Sequence, residues 1–116
     1  MPKPRATKPR READVQTAIL ALLRAHSISA WKVGSGAFKV GDRYVKMGQR
    51  GMSDIIGIQP RYTPFGPSGR FLAIEVKRPG GKPTLEQAAF LATVRKAGGI
   101  AFVATSCDDV IRELGL

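Results

Sequence analysis

The sequence predicts an α/β fold in which a mixed central sheet is flanked by helices. Apolar residues recur at helical spacing near both ends of the chain, while the middle has short apolar or alternating runs between glycines. A strand, a capped helix and a second strand then follow in succession, which predicts a right-handed parallel crossover. With 116 residues and 43% hydrophobic content, we expect one domain over residues 12–116.

Residues 1–11 differ in composition from the rest of the chain. They contain three prolines and five cations with too few apolar side chains to fold independently. We expect a flexible basic arm. This arm either binds phosphates or only increases the solubility of the chain.

A first helix is expected from about Glu12 to His26. Its apolar residues form one stripe at helical spacing, made by Val15, Ala18, Ile19, Leu22 and Leu23. Glu12 falls on that inward stripe. On the residues alone, Glu12 is a first-turn acid favoured by the positive end of the helix dipole.

Four short runs between glycines are expected to form strands joined by tight turns, namely Trp31–Val33, Ala37–Val40, Tyr44–Met47 and Asp54–Ile58. Gln59–Gly69 is rich in Pro and Gly, so we expect a loop there, followed by a strand over Arg70–Lys77. A hairpin of the two later strands would bring Asp54 and Glu75 together. We expect Trp31 in the core.

The last third of the chain is expected to contain a helix, a strand and a helix, at Thr84–Ala97, Ile100–Ala104 and Ser106–Leu114. Thr84 and Gln87 match the capping box that begins a helix. Gly98 and Gly99 can supply the left-handed residue that ends it. The apolar run that follows is typical of a buried strand.

The charge balance favours a polyanionic partner. Nineteen Lys and Arg residues against nine Asp and Glu give a formal net charge of +10, which indicates nucleic acid. No apolar run approaches the roughly 20 residues that span a bilayer, and no signal-peptide pattern follows Met1. An anionic membrane surface is the competing partner. We therefore expect an intracellular, cytoplasmic protein with nucleic acid as its partner and no membrane association.

The chain has one cysteine and one histidine, which does not allow a Cys/His zinc cluster. Any bound metal is therefore expected to have oxygen ligands, and this suits Mg²⁺ or Mn²⁺.

The pattern that indicates a catalytic metal site consists of Asp54 and Glu75-Val76-Lys77. Glu75 and Lys77 lie two apart in an expected strand, so both side chains point to the same side. Asp54, Glu75 and the Val76 carbonyl are candidate ligands for Mg²⁺ or Mn²⁺, and a cation held there can activate water against a phosphodiester. Lys77 would orient or deprotonate that water, or offset charge at phosphorus. The alternative is an exposed, solvated Glu-x-Lys pair, which is common on protein surfaces.

The order of three motifs resembles that of a known nuclease group. Gly51-Met52-Ser53-Asp54, the strand ending Ile74-Glu75-Val76-Lys77 and a helix with Gln87 in its first turn resemble the PD-(D/E)xK superfamily, and within it the virus-type replication-repair nuclease (VRR-NUC) family. The resemblance covers about residues 12–110 and implies a restriction-endonuclease-like core. Ser53 is a departure, since family members often have proline there, which affects the backbone turn more than the ligand.

The resemblance implies an active site made of Glu12, Asp54, Glu75, Lys77 and Gln87. It gives Glu12 a role as a third metal-binding carboxylate. It gives Gln87 a catalytic role, which competes with its capping role because one side chain fills only one role at a time. Arg50 and Arg78 lie close to the acids in sequence, and we expect both to contact DNA phosphates.

The function implied by the resemblance is a Mg²⁺- or Mn²⁺-dependent, structure-specific DNA endonuclease that attacks the phosphodiester with metal-activated water in one step. Stand-alone members look like homodimers that resolve Holliday junctions in DNA repair, in bacterial or phage-infected cells. A twofold dimer would match a junction with two equivalent strands. The alternatives are a non-catalytic nucleic-acid-binding module and a nicking or restriction-type endonuclease on plain duplex.

Overall fold

The computed structural model describes residues 11–34, 37–46 and 51–116. In chain order the elements are α1 (Glu12–Ala25), β1 (Ser29–Lys32), β2 (Ala37–Val40), β3 (Arg43–Lys46), β4 (Ile55–Thr63), β5 (Gly66–Val76), α2 (Leu85–Lys96), β6 (Ile100–Ala104) and α3 (Cys107–Leu114). Within these ranges no helix is both long enough and apolar enough to cross a membrane.

The main sheet is mixed and has the strand order β1-β4-β5-β6. Its β1–β4 and β4–β5 pairs are antiparallel, whereas β5 and β6 are parallel and are connected through α2. The strands β2 and β3 form a separate antiparallel hairpin. The expected α/β fold with a mixed sheet, helices and a parallel crossover is therefore confirmed.

The two faces of the sheet carry two apolar clusters. On one face α1 and α3 pack against the alternate β5 residues Leu72, Ile74 and Val76. On the other face α2 packs against Ala73 of β5 and Ala101 of β6. Because side chains alternate along a strand, Glu75 projects to the same face as Ala73.

Local signals predicted the C-terminal elements correctly. The N–H of Thr84 donates to Gln87 Oε1 at 2.9 Å and the N–H of Gln87 donates to Thr84 Oγ1 at 3.2 Å, so the capping box is present. The strand Ile100–Ala104 has the expected bounds. The last helix begins after Ser106, whose hydroxyl accepts from the N–H of Asp109 at 3.3 Å.

The expectation of a loop over Gln59–Gly69 was wrong. β4 continues to Thr63 and β5 begins at Gly66, so most of this segment is a hairpin with a short turn. Pro60 is compatible with the strand because β1 pairs with β4 only as far as Ile58. Beyond Ile58, β4 has no neighbour on its β1 side among the described strands. Pro60 lacks an N–H, and on that unpaired side its absence removes no hydrogen bond between strands.

The expectation that Trp31 is buried was also wrong, since 52% of the surface of Trp31 is exposed. Trp31 lies opposite Ile56, and that pair projects to the α2 face of the sheet, where α2 packs over β5 and β6. Ile58 and Phe71 are paired beside it and are 47% and 43% exposed. We call Trp31, Ile56, Ile58 and Phe71 the sheet patch.

Candidate active site

Asp54 lies immediately before β4 and is held from two sides. Its carbonyl accepts from the N–H of Val33 at 2.8 Å, and its Oδ2 accepts from the N–H of Val76 at 2.8 Å. The preceding Ser53 is buried, and its hydroxyl donates to the carbonyl of Ile55 at 3.1 Å. Ser53 thus shapes the turn by a hydrogen bond at the position where proline is often found.

Gly51 begins the loop before Asp54, and the backbone conformation at this position requires glycine. Its φ is +84°, and an added Cβ would lie 3.0 Å from the main chain and Cβ of Glu86. Only glycine allows both the positive φ and this close approach. The loop therefore packs against the first turn of α2, the turn that carries Gln87.

Glu75 is almost completely buried, with 1% of its surface exposed. Its side chain is within hydrogen-bonding reach of Asp54, and its Oε1 lies 3.6 Å from Lys77 Nζ. Within the part of the chain that the structure describes, its Oε2 is buried and has no hydrogen-bond partner. A buried carboxylate oxygen of this kind requires a partner, and a cation is one.

The electrostatics of Asp54 and Glu75, which we call the acidic pair, also favour a bound cation. Burial, and then the charge and hydrogen bond of Asp54, raise the pKa of Glu75 from 4.5 to about 8, while Lys77 lowers it. Glu75 therefore keeps its proton at neutral pH, because the nearby Lys77 ammonium does not compensate for burial and for the charge of Asp54.

The carbonyl of Val76 has a suitable orientation for a third oxygen ligand. The Val76 N–H points toward Asp54, and in a strand the N–H and C=O of one residue point to the same side. The next N–H, that of Lys77, points the other way and donates to the Ala104 carbonyl at 3.0 Å. The Val76 carbonyl thus lies on the side of Asp54.

These residues fit a hard divalent cation such as Mg²⁺ or Mn²⁺. Asp54 and Glu75 supply adjacent carboxylates, one buried Glu75 oxygen lacks a partner in the described part of the chain, and the Val76 carbonyl lies beside them. Oxygen ligands of this type are those that these ions prefer. Among residues 11–34, 37–46 and 51–116, however, no three His, Cys, Asp or Glu side chains lie together as a metal cluster.

Glu12 is the predicted ligand that the structure does not bring to the acidic pair. Its Oε1 accepts from the main-chain N–H of Arg78 at 3.3 Å, which ties the start of α1 to the chain just after β5. Glu12 is therefore close to the end of β5, but its role as a metal ligand stays a prediction.

Gln87 performs the capping role in this structure, because its Oε1 accepts from the N–H of Thr84. Its helix turn is packed against the loop that leads to Asp54 through Gly51 and Glu86. Gln87 is half-buried. The structure thus brings the first turn of α2 to the loop before Asp54, and the catalytic role of Gln87 stays a prediction.

A cavity of about 310 Å³ opens beside Lys77. Its wall includes Glu12, Arg78 and the first residues of α3, so Arg78, one of the two predicted phosphate contacts, borders the site and is exposed. The other predicted contact, Arg50, and the basic arm over residues 1–10 lie outside the described residues.

Sequence reasoning missed one buried polar side chain on α1. Gln16 is 8% exposed, and its Oε1 has no hydrogen-bond partner in the described ranges. It lies one helical turn after Glu12, on the buried stripe with Ile19 and Leu23. A polar residue at an inward position of an apolar stripe was the signal that would have identified it.

Comparison with known proteins gives one family and one solved structure. The family model described as VRR-NUC domain matches residues 8–108. A solved structure named "VRR_NUC domain protein" is 22% identical, with a TM-score of 0.55, over 93% of this chain and 88% of that chain. No curated protein matches the chain. At this identity the structural similarity supports the fold: a mixed four-stranded sheet with three helices.

Proposed function

We propose that this chain, which belongs to the VRR-NUC domain family, is a divalent-metal-dependent, structure-specific DNA endonuclease. Family membership makes it a nuclease-type domain. The metal dependence, the endonucleolytic cut and the branched substrate are our proposals. The observation that carries them is the pairing of Asp54 with the buried Glu75, which has Lys77 beside it and one carboxylate oxygen without a partner among the described residues.

Asp54, Glu75 and the Val76 carbonyl would hold the cation. A Mg²⁺ or Mn²⁺ ion bound there supplies a Lewis acid for the charge that develops on the phosphoryl oxygens. The protein contributes the positions of these oxygens, because Asp54 is fixed by the N–H groups of Val33 and Val76. A site built on strand ends in this way is preorganised for its ligand.

Lys77 is the group that would act on the substrate directly. Its side chain is 18% exposed, so the ammonium is reachable from solvent while it stays near Glu75. From there it can orient the attacking water or offset charge on the phosphate. Arg78 follows it on the surface, where its guanidinium would contact a neighbouring phosphate.

The proposed substrate is branched DNA, with a four-way junction as the leading candidate, cut by a homodimer. Two sites related by a twofold axis match two equivalent strands of a junction. The sheet patch offers an exposed apolar surface for self-association. Sedimentation of wild type and of Trp31→Ser would test this part: we expect a dimer that the substitution weakens, and a monomeric wild type would contradict it.

Cleavage of a labelled four-way junction with and without Mg²⁺ or Mn²⁺ tests the nuclease proposal. We expect metal-dependent cutting by wild type and its loss in Glu75→Ala and Lys77→Ala. Two exposed residues of the same types, Glu113 and Lys96, provide the matched controls Glu113→Ala and Lys96→Ala. Undiminished cutting by Glu75→Ala or Lys77→Ala would remove that residue from the mechanism.

The substrate proposal needs a comparison of cutting rates on linear, nicked, flap and four-way DNA of matched sequence. Preference for branched substrates would support it. Sequence-dependent cutting of plain duplex would favour a restriction-type enzyme. Salt-sensitive binding without any metal-dependent cutting would favour a non-catalytic binding module.

A further inference from the structure

The hairpin formed by β4 and β5 extends beyond the rest of the sheet. The pairing of β1 with β4 stops at Ile58, and that of β6 with β5 starts at Leu72. Gln59–Arg70, which we call the ribbon, pairs only with itself among the described strands. At roughly 3.3 Å per residue its five pairs, from Gln59–Arg70 to Thr63–Gly66, project on the order of 17 Å.

The tip of the ribbon presents two aromatic side chains to solvent. Tyr62 is 86% exposed and Phe65 is 99% exposed. The turn around them is fixed, because Thr63 Oγ1 donates to the Gly66 carbonyl at 2.8 Å and accepts from the N–H of Phe65 at 3.2 Å. Pro64 within this turn restricts the backbone further. The main chain that carries the Phe65 ring is thus a preorganised turn.

The charge of the ribbon favours nucleic acid over another protein surface. No Asp or Glu occurs between Asp54 and Glu75, whereas Arg61 and Arg70 lie in the ribbon. Arg70 Nε donates to the Gly98 carbonyl at 3.1 Å, and Arg61 is exposed next to Tyr62. An acid-free, cationic element with exposed aromatic rings is complementary to a polyanion with stacking bases.

We propose that the ribbon is a second DNA-binding element, in which Phe65 and Tyr62 stack on bases exposed at a branch, nick or flap. Arg61 contacts a neighbouring phosphate. A base inside an intact duplex has no free face for the rings, so the contact recognises a discontinuity in the helix. The role of the ribbon rests on the proposed nuclease function. It makes the ribbon the element that recognises the branched DNA structure.

The ribbon tip is distant from the catalytic acids. Thr63 lies nine residues after Asp54 along one strand, which separates them by about 30 Å at the rise of a β-strand. This distance is about nine base pairs along a duplex axis. The aromatic contact is therefore separate from the cleaved phosphate, and it can be removed without touching the proposed metal ligands.

The test is the affinity of the full chain for a four-way junction and for a linear duplex of the same length and composition, measured by fluorescence anisotropy in EDTA. We expect Phe65→Ala to weaken junction binding about tenfold, because one aromatic stacking contact is worth that order of affinity. Binding to the linear duplex should change less than about twofold. Phe65→Trp keeps a stacking ring and should bind the junction like wild type, whereas Phe65→Leu should behave like Phe65→Ala.

A fluorescent 2-aminopurine base placed at the branch point gives a second readout. Its emission should change when wild type binds and should not change with Phe65→Ala. Equal affinities of wild type and Phe65→Ala for the junction would overturn the proposal, as would equal losses on both DNAs. Dissociation of a dimer by Phe65→Ala in sedimentation would assign the ring to a protein contact and would also overturn it.

Failure of this inference is distinguishable from failure of the nuclease proposal. Binding in EDTA requires no cleavage, so the ribbon can be confirmed in a chain that does not cut. Conversely, loss of cutting in Glu75→Ala together with unchanged junction binding by Phe65→Ala would support the active site and reject only the ribbon.

Discussion

The carboxylate of Asp54 accepts a 2.8 Å hydrogen bond from the main-chain N–H of Val76. This contact joins the start of β4 to the end of β5. It also places the Asp54 side chain next to Glu75 and on the side to which the Val76 carbonyl points. Asp54 therefore has a structural role and a proposed catalytic role, and substitutions can separate them.

Asp54→Asn should lose activity while it keeps the fold. The amide oxygen can still accept from the Val76 N–H, but the charge that would bind a cation is gone. We expect cleavage to fall on the order of a hundredfold or more, since even the outer partners of metal ligands typically contribute 10- to 100-fold. Single-turnover cleavage at saturating metal measures this effect.

Asp54→Ala should in addition destabilise the protein. It leaves the Val76 N–H without its acceptor in a partly buried position, which costs about 1–3 kcal/mol. Urea unfolding of the two variants gives the comparison. Equal stability of Asp54→Asn and Asp54→Ala would show that the hydrogen bond contributes nothing measurable.

The raised pKa of Glu75 makes the stability of the metal-free protein depend on pH. In the unfolded chain Glu75 loses its proton near pH 4.5, whereas in the folded chain it keeps the proton up to about pH 8. Between these values the folded state binds more protons, so its stability falls as pH rises and levels off above about pH 8. Below pH 4.5 the contribution is fully present.

Glu75→Gln is the control that isolates this contribution, because the amide does not titrate. We expect its advantage in unfolding free energy over wild type, in EDTA, to grow from pH 5 to pH 8, by at most about 1.4 kcal/mol per unit. Chemical denaturation at four pH values measures the difference. A difference that is independent of pH would mean that Glu75 is already ionised in the metal-free fold.

Glu12 can be tested by comparing two substitutions. Glu12→Gln keeps an oxygen that accepts from the N–H of Arg78 but removes the charge, whereas Glu12→Ala removes both. If Glu12 only ties α1 to the end of β5, Glu12→Gln should cut DNA like wild type and Glu12→Ala should be less stable. The metal role implied by the family resemblance requires the opposite: slower cutting and weaker Mn²⁺ binding by Glu12→Gln. We expect the second pattern.

The capping role and the predicted catalytic role of Gln87 can be separated by comparing its substitution with that of its capping partner, Thr84. Thr84→Ala and Gln87→Ala both break the capping box, so each should lose about 1 kcal/mol of stability. Only Gln87→Ala removes a side chain that the resemblance places at the site. We therefore expect it to cut more slowly than Thr84→Ala, and equal cleavage rates would restrict Gln87 to the capping role.

Elements with strong local signals were predictable from the sequence. The capping box at Thr84 and Gln87 defined the start of α2, and the apolar run Ile100–Ala104 defined β6. The expected hairpin also placed Glu75 beside Asp54, and strand alternation placed Lys77 beside Glu75.

Features that depend on distant partners were not predictable. The prolines and glycines of Gln59–Gly69 signal a loop locally, but pairing between the two strands makes the segment a ribbon. The exposure of Trp31 depends on which part of the sheet α2 covers, and no local pattern encodes that. The separation of Glu12 from the acidic pair likewise depends on how α1 packs, and helical periodicity specifies its inward face but not its distance from Asp54.

A crystal structure of the protein soaked in Mn²⁺, with anomalous data, tests the central claim most directly. We expect an anomalous peak bound by carboxylate oxygens of Asp54 and Glu75 and by the Val76 carbonyl. The same soak of Glu75→Gln should show no peak. Ordered density for both acids with no Mn²⁺ between them in the wild-type crystal, or a Mn²⁺ ion bound elsewhere, would contradict the proposed active site.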